Sequence, residues 1–171
     1  QQIPLEAFGS VPGRRANDCA LNKALTNDIL RQQRRAAALC SNDATSCYDR
    51  IVHAAASLCM QRLGVDATTC KVMFGTLQQL RQGNGAGPAI WLVMTIPLIN
   101  MLRNRGFGFQ SISPLTKHHC HIACFTFVDD TDTIHAPLSH RHISGGQVIQ
   151  EMQEVINTWE GGLRATGGSL S

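Results

Sequence analysis

The sequence predicts an α+β fold, a small antiparallel sheet with helices packed on one of its faces. Three observations carry this. Apolar residues recur at helical spacing through several separate segments. Short runs rich in branched and aromatic residues lie between them. The two kinds of segment are mixed without the strict alternation of a parallel sheet. With 171 residues, 43% hydrophobic and 16% charged, the chain has the length for one domain with one sizeable core, spanning residues 1–171, and is too apolar to be disordered.

Residues 1–15 contain Pro4, Gly9, Pro12 and Gly13, which predicts an irregular lead-in. Over 16–35, Ala16, Ala20, Leu21, Ala24, Leu25, Ile29 and Leu30 are spaced as on a helix. The run Ala36 to Cys40, ending at Ser41-Asn42-Asp43, suits a short buried strand or the end of that helix. Ile51, Val52, Ala55, Leu58, Cys59 and Leu63 predict a second helix, with Gly64 at its C-terminal cap. A third helix is expected over 67–80, then a glycine-rich loop from Gln82 to Pro88 and a buried helix over 89–104 stopped by Gly106. Residues 107–113 alternate as a strand. Ile122 to Val128 is a strand running into Asp129-Asp130-Thr131-Asp132, with Thr133 to Ala136 returning as its partner in a hairpin with acids at the tip. Ser144 and Gln147 form a capping box. The helix it opens carries Val148, Met152, Val155, Ile156, Trp159 and Leu163 on one stripe.

Composition narrows the function classes. Lys+Arg 15 against Asp+Glu 12 leaves +3, too little to grip nucleic acid by charge alone, so such a partner is neither required nor excluded. Seven cysteines at irregular spacing read as reduced thiols and an intracellular setting, cytoplasm or nucleus. The opening Gln-Gln-Ile-Pro lacks a Met and a signal pattern, so the chain reads as an excised piece without a secretory leader. The most apolar stretch, Ala89 to Leu102, holds Thr95, Pro97 and Asn100 and meets Arg103 at once. It is shorter than the ~20 residues of a spanning helix, so no membrane partner is expected. Arg14, Arg15, Arg31, Arg34 and Arg35 read as solvated positions, with phosphate contact as the alternative.

The acids are mostly scattered. Asp43 and Asp129-Asp130 are the exceptions, each ending an apolar run. Two strands that finish in aspartate can set carboxylates side by side, where they repel unless a cation sits between them. Oxygen-only ligands favour Mg²⁺ or Mn²⁺, and two such ions serve in-line phosphoryl transfer. The competing reading is that Asp-Asp simply marks a turn.

Four motifs, in order, sharpen this. Asn42-Asp43-Ala44-Thr45-Ser46-Cys47-Tyr48-Asp49 resembles the first palm motif of reverse transcriptases, an aspartate followed by an aromatic. Gln82-Gly83-Asn84-Gly85-Ala86-Gly87-Pro88 resembles the second. Phe127-Val128-Asp129-Asp130 resembles the aromatic-x-Asp-Asp motif of the catalytic hairpin. Gly161 to Gly168 is similar to the stretch that closes the palm. The nearest likeness is to the reverse transcriptase domain of eukaryotic retrotransposons, over most of residues 14–171. The resemblance implies a palm domain with Asp43 and Asp129 as metal ligands and Asp130 beside them. It places Tyr48 beneath the incoming sugar, and Gln82 and Gly83 along the template and nucleotide pocket. It implies an RNA-directed DNA polymerase fragment that adds deoxynucleotides to a nucleic-acid primer–template. It also marks the chain as pared down: no thumb follows Ser171, little fingers region precedes Asp43, and Leu80-Arg81 enters Gln82 with a shorter excursion than the family has. Activity is therefore expected to be weak or lost, and apolar surface left bare would favour self-association.

A second chemistry competes. His118, His119, Cys120, His121 and Cys124 cluster in sequence, and nitrogen and thiolate donors suit Zn²⁺. With His119, Cys120, His121 and Cys124 as ligands, and His135, His140 or His142 joining from the next loop, the chain would be a zinc-dependent hydrolase or a zinc-binding module. The bland reading is a polar strand entrance beside a buried thiol. A third reading is a non-catalytic nucleic-acid-binding module.

Overall fold

The computed structural model describes residues 3–45, 48, 50–76, 86–138 and 143–170. Its elements run α1 (Ala16–Gln32), β1 (Ala38–Asp43), α2 (His53–Arg62), α3 (Ala67–Thr76), α4 (Gly87–Asn104), β2 (Phe109–Ile112), β3 (His119–Ile122), β4 (Cys124–Phe127), β5 (Asp130–His135) and α5 (Gly145–Ala165). The architecture is α+β. A three-stranded antiparallel sheet has the order β1-β5-β4, and β2 and β3 form a separate two-stranded ribbon.

Strand alternation decides what each face meets. On one face, Ala38 and Cys40 of β1 lie against a core built from Val155 and Trp159 of α5 and from Met94, Leu98 and Leu102 of α4. His135 of β5 reaches Glu151 of α5 from that same face, at 2.8 Å. The expected stripe of α5 is the one buried, with Val148, Met152, Val155, Trp159 and Leu163 all inside. The Ser144–Gln147 box closes its N-terminus reciprocally, at 3.3 and 2.8 Å. The opposite face, carrying Asp132 and Ile134, receives α1, which adds Leu30 to a smaller cluster with Phe8, Phe109 and Phe125. So α1 covers a face beyond the one that α4 and α5 share.

Several boundaries differ from expectation for local reasons. The first helix stops at Gln32 because Arg34 turns into the left-handed region, φ 51°, and the ambiguous run after it is a strand. Of the α1 apolar residues, Leu30 is buried while Leu21, Leu25 and Ile29 face outward, at 57%, 51% and 38% exposure. The expected strand over Ile122 to Val128 is shorter, β4 alone, with Ile122 the last residue of β3: the chain leaves the ribbon at Ala123 and enters the main sheet at Cys124. Of the expected third helix, residues 77–80 fall outside the described part, as do Gln82 and Gly83 of the glycine-rich loop.

The lead-in is less irregular than its prolines and glycines suggest. Ala7 bridges Thr126 in parallel, with Phe8 N–H donating to Thr126 O at 2.9 Å and Thr126 N–H to Glu6 O at 3.0 Å. These residues cover the outer edge of β4. Glu6, buried, pairs with Arg103 of α4 at 2.6 Å. Two arginines read as solvated are structural instead. Arg14 donates to Pro4 O at 2.6 Å and to Ala7 O. Arg35 donates to Gln110 O at 2.8 Å and Pro137 O at 2.7 Å, with its guanidinium 5.1 Å from the Phe109 ring centre. Arg14 satisfies carbonyls that the lead-in leaves over, and Arg35 ties strand β2 to the segment that follows β5.

The β4–β5 turn is two residues long, Val128-Asp129, and Val128 sits at φ 58°. A branched side chain in that region is strained by ~1–3 kcal/mol. Gly9 presses against this turn: a Cβ there would lie 2.2 Å from the Val128 nitrogen. Gly9→Ala is therefore expected to lower stability by about 2 kcal/mol. Val128→Gly should raise it by ~1 kcal/mol through relief of the strain. Urea midpoints of the two variants against wild type check both signs.

Candidate functional site

β1 ends in Asp43 and β5 begins at Asp130, and the antiparallel register places these two residues directly opposite each other. Their Cβ atoms are therefore ~5 Å apart on the same face of the sheet. Asp129 is the second residue of the turn immediately before Asp130. Asp43 and Asp130, 87 positions apart in sequence, thus form an opposed pair at one end of the sheet, with Asp129 next to Asp130 in the chain. Asp43 and Asp130 are exposed and Asp129 is half-buried. Like charges directly opposite on paired strands are unfavourable, and a cation shared between them removes the penalty.

The fourth acid of the expected tip is used differently. Asp130 belongs to the strand rather than to the turn, so Asp132 falls two residues further into β5 on the same face. Lys23 of α1 holds it at 2.6 Å, and the Ser41 hydroxyl donates to its other oxygen. Asp132 is thereby satisfied within the fold, while anchoring α1 over the sheet next to Asp130. Lys23 carries no sequence signal: its partner lies 109 residues away and nothing in local spacing pairs them.

Two of the motif segments also meet. Tyr48, half-buried, lays its ring against the backbone of Gly87 at the start of α4, where a Cβ would be 3.2 Å from Cδ1 and 3.4 Å from Cγ. Behind them the closing segment folds back. Thr45 N–H donates to Ser169 O at 2.9 Å, Val52 N–H to Thr166 O at 3.1 Å, and Ala44 bridges Leu170. Gly167, φ 93°, passes so close to Arg50 that a Cβ would sit 2.1 Å from its carbonyl oxygen. Gly162 on α5 similarly admits Leu98 and Met101 of α4. Gly162 therefore sets the spacing of α5 on α4, and Gly167 that of the tail on the residues after β1.

The histidine and cysteine cluster does not gather. On β3, His119 and His121 share one face and Cys120 the other. The His121 Nε2 is engaged with Phe107 O at 2.7 Å. Cys124 is fully buried, and desolvation, followed by the Glu6 carboxylate, pushes its thiol well above the usual range. Burial and Glu6 also raise the Cys120 thiol. His135 lies buried between Gly108 N–H and Glu151, at 3.3 and 2.8 Å, and His140 and His142 lie outside the described residues.

Among the described residues, no group of three or more His, Cys, Asp or Glu side chains is arranged closely enough to hold a metal ion. The acid tip offers an opposed pair with a third carboxylate beside it, and the donors are oxygen only, the set that hard divalent cations accept. No helix among the described residues is long and apolar enough to cross a membrane. In comparison with known proteins, no family model matches the chain and no curated protein matches it significantly.

Proposed function

We propose that the chain is a palm-type nucleotidyltransferase domain, related to reverse transcriptases, that holds Mg²⁺ or Mn²⁺ on Asp43, Asp129 and Asp130. The observation that carries this reading is the β1–β5 register, which sets Asp43 against Asp130 at the end of the sheet where the Asp129 turn lies. The four motif segments quoted from the sequence support it, since Tyr48 of the first seats on Gly87 of the second at the start of α4 and the closing segment packs beside the residues that follow the first. Bound there, divalent ions supply charge neutralisation for in-line phosphoryl transfer.

The chain's own residues take the remaining roles. Asp43 and Asp129 are the principal oxygen donors, with Asp130 completing the acidic rim. Lys23 and Ser41 keep Asp132 out of the donor set and fix the strand that bears Asp130. The Tyr48 ring, seated on Gly87, forms the wall on which a nucleotide sugar would rest. Gln82 and Gly83, outside the described residues, would border the template. The substrates in this reading are a primer–template and a deoxynucleoside triphosphate.

Primer extension with Mn²⁺ tests it, comparing wild type with Asp129→Asn. Extension by wild type alone is the expected result. Equal extension by both proteins, or by neither, ends the catalytic reading.

A further inference from the structure

We propose that the groove between α2 and α4 is a binding site for an elongated organic anion, an acidic head carried on an apolar chain. The groove has a volume of about 480 Å³, within the range of small-molecule sites. It shares no lining residue with the acid tip; Pro97, Asn104 and Arg105 of α4 are exposed along it, while Cys59 and Met101 reach it from the edge of the core. Its chemistry is sharply one-sided. Arg62 and Arg105 supply two guanidinium groups and Asn104 a carboxamide, and no described lining residue is a carboxylate. Leu58, Pro97 and Met101 supply an apolar floor, with Leu58 65% exposed.

These features select an occupant. Two cations without a lining acid complement a negative head, and guanidinium groups bind carboxylate or phosphate through paired donors. Arg105 is steadied by donating to Thr158 Oγ1 at 3.0 Å, which reduces the side-chain freedom lost on binding. Along α4 the lining runs from Pro97 to Arg105, ~12 Å of helix, so the floor suits a medium-length chain rather than a compact ion. A bare phosphodiester backbone would use the cations and leave the floor uncovered. A neutral lipid would do the reverse.

The experiment uses the whole chain with methyl-labelled methionines and three probes below their micelle concentrations: decanoate, decyl phosphate and decyltrimethylammonium. Inorganic phosphate is the fourth. Decanoate or decyl phosphate should shift the Met101 methyl resonance saturably while leaving the buried Met94 methyl in place, and the tighter of the two identifies the head group. Arg62→Gln with Arg105→Gln should weaken that binding ~10-fold or more. Both arginines are exposed and the variant gives up the Arg105–Thr158 hydrogen bond, so it should melt only slightly below wild type, and Leu21→Ser/Leu25→Ser on α1 should bind normally. The proposal is overturned if the cationic probe binds as well as the anions, if inorganic phosphate binds as tightly as decyl phosphate, if the arginine variant binds like wild type, or if Met101 does not respond.

Discussion

Arg103→Met is expected to destabilise the protein by ~3–5 kcal/mol, the cost of leaving a buried charge without its partner. Glu6 has 1% of its side chain exposed, and Arg103 meets it at 2.6 Å. Among the described residues, the Ala123 N–H also donates to its carboxylate, at 3.4 Å. The same Arg103 nitrogen donates to His121 O at 3.1 Å, so the substitution also frees a carbonyl of the ribbon. The loss is attributable to the stranded carboxylate if Glu6→Gln, added to Arg103→Met, recovers most of it. Replacing both partners removes the charge, which is far less costly than removing one. Urea unfolding of the single and double variants supplies the comparison. An additive pair of losses would mean that the two residues act separately.

On the proposed nucleotidyltransferase reading, Asp129→Asn is expected to lower primer extension by about a hundredfold or more. A bound metal supplies several kcal/mol of transition-state charge stabilisation, and ~3 kcal/mol corresponds to about a hundredfold in rate. Asparagine keeps the size and one oxygen of the side chain but removes the negative charge. Because Asp129 lies in a turn and is only half-buried, stability should change little, and a matching urea midpoint separates lost chemistry from lost fold. Mn²⁺ binding followed by electron paramagnetic resonance gives a readout independent of turnover, and it should weaken in the same variant. Wild-type Mn²⁺ affinity in Asp129→Asn would place the ion elsewhere.

The parts legible in the sequence are those whose signal is local. The α5 helix is the clearest, because its stripe and its capping box are both contained within twenty-one residues. The buried helix α4 is read from its apolar density, and the end of α2 from Gly64, which takes φ 99°. The meeting of Asp43 with Asp130 is legible only in part: β1 ends in acid as expected, but Asp130 opens the returning strand β5 rather than closing β4, and it is β5 that pairs with β1. What escapes is what depends on distant partners. Arg35 looks like part of a solvated run, yet it clamps carbonyls of residues 110 and 137. Glu6 sits among prolines and glycines, and its partner lies 97 residues on. The division of 119–127 into two strands has no sequence mark, because both halves are extended and the change is only in which strand each half pairs with. The histidine cluster fails for a related reason: adjacency in sequence on a strand sends neighbours to opposite faces.

The lead-in residues beside β4 have a bearing on solubility. An uncovered strand edge is a template for pairing with another chain, and Glu6 to Phe8 already occupy the donors and acceptors of Thr126. They join in parallel through a single bridge, so little holds this shield except Arg14, the Glu6–Arg103 pair and the burial of Phe8. Trimming these few residues would strip a polar seam bare and leave the outer edge of β4, in the hairpin that bears Asp129, open to lateral pairing with its own copies, so that the segment's second service is to keep neighbouring molecules apart.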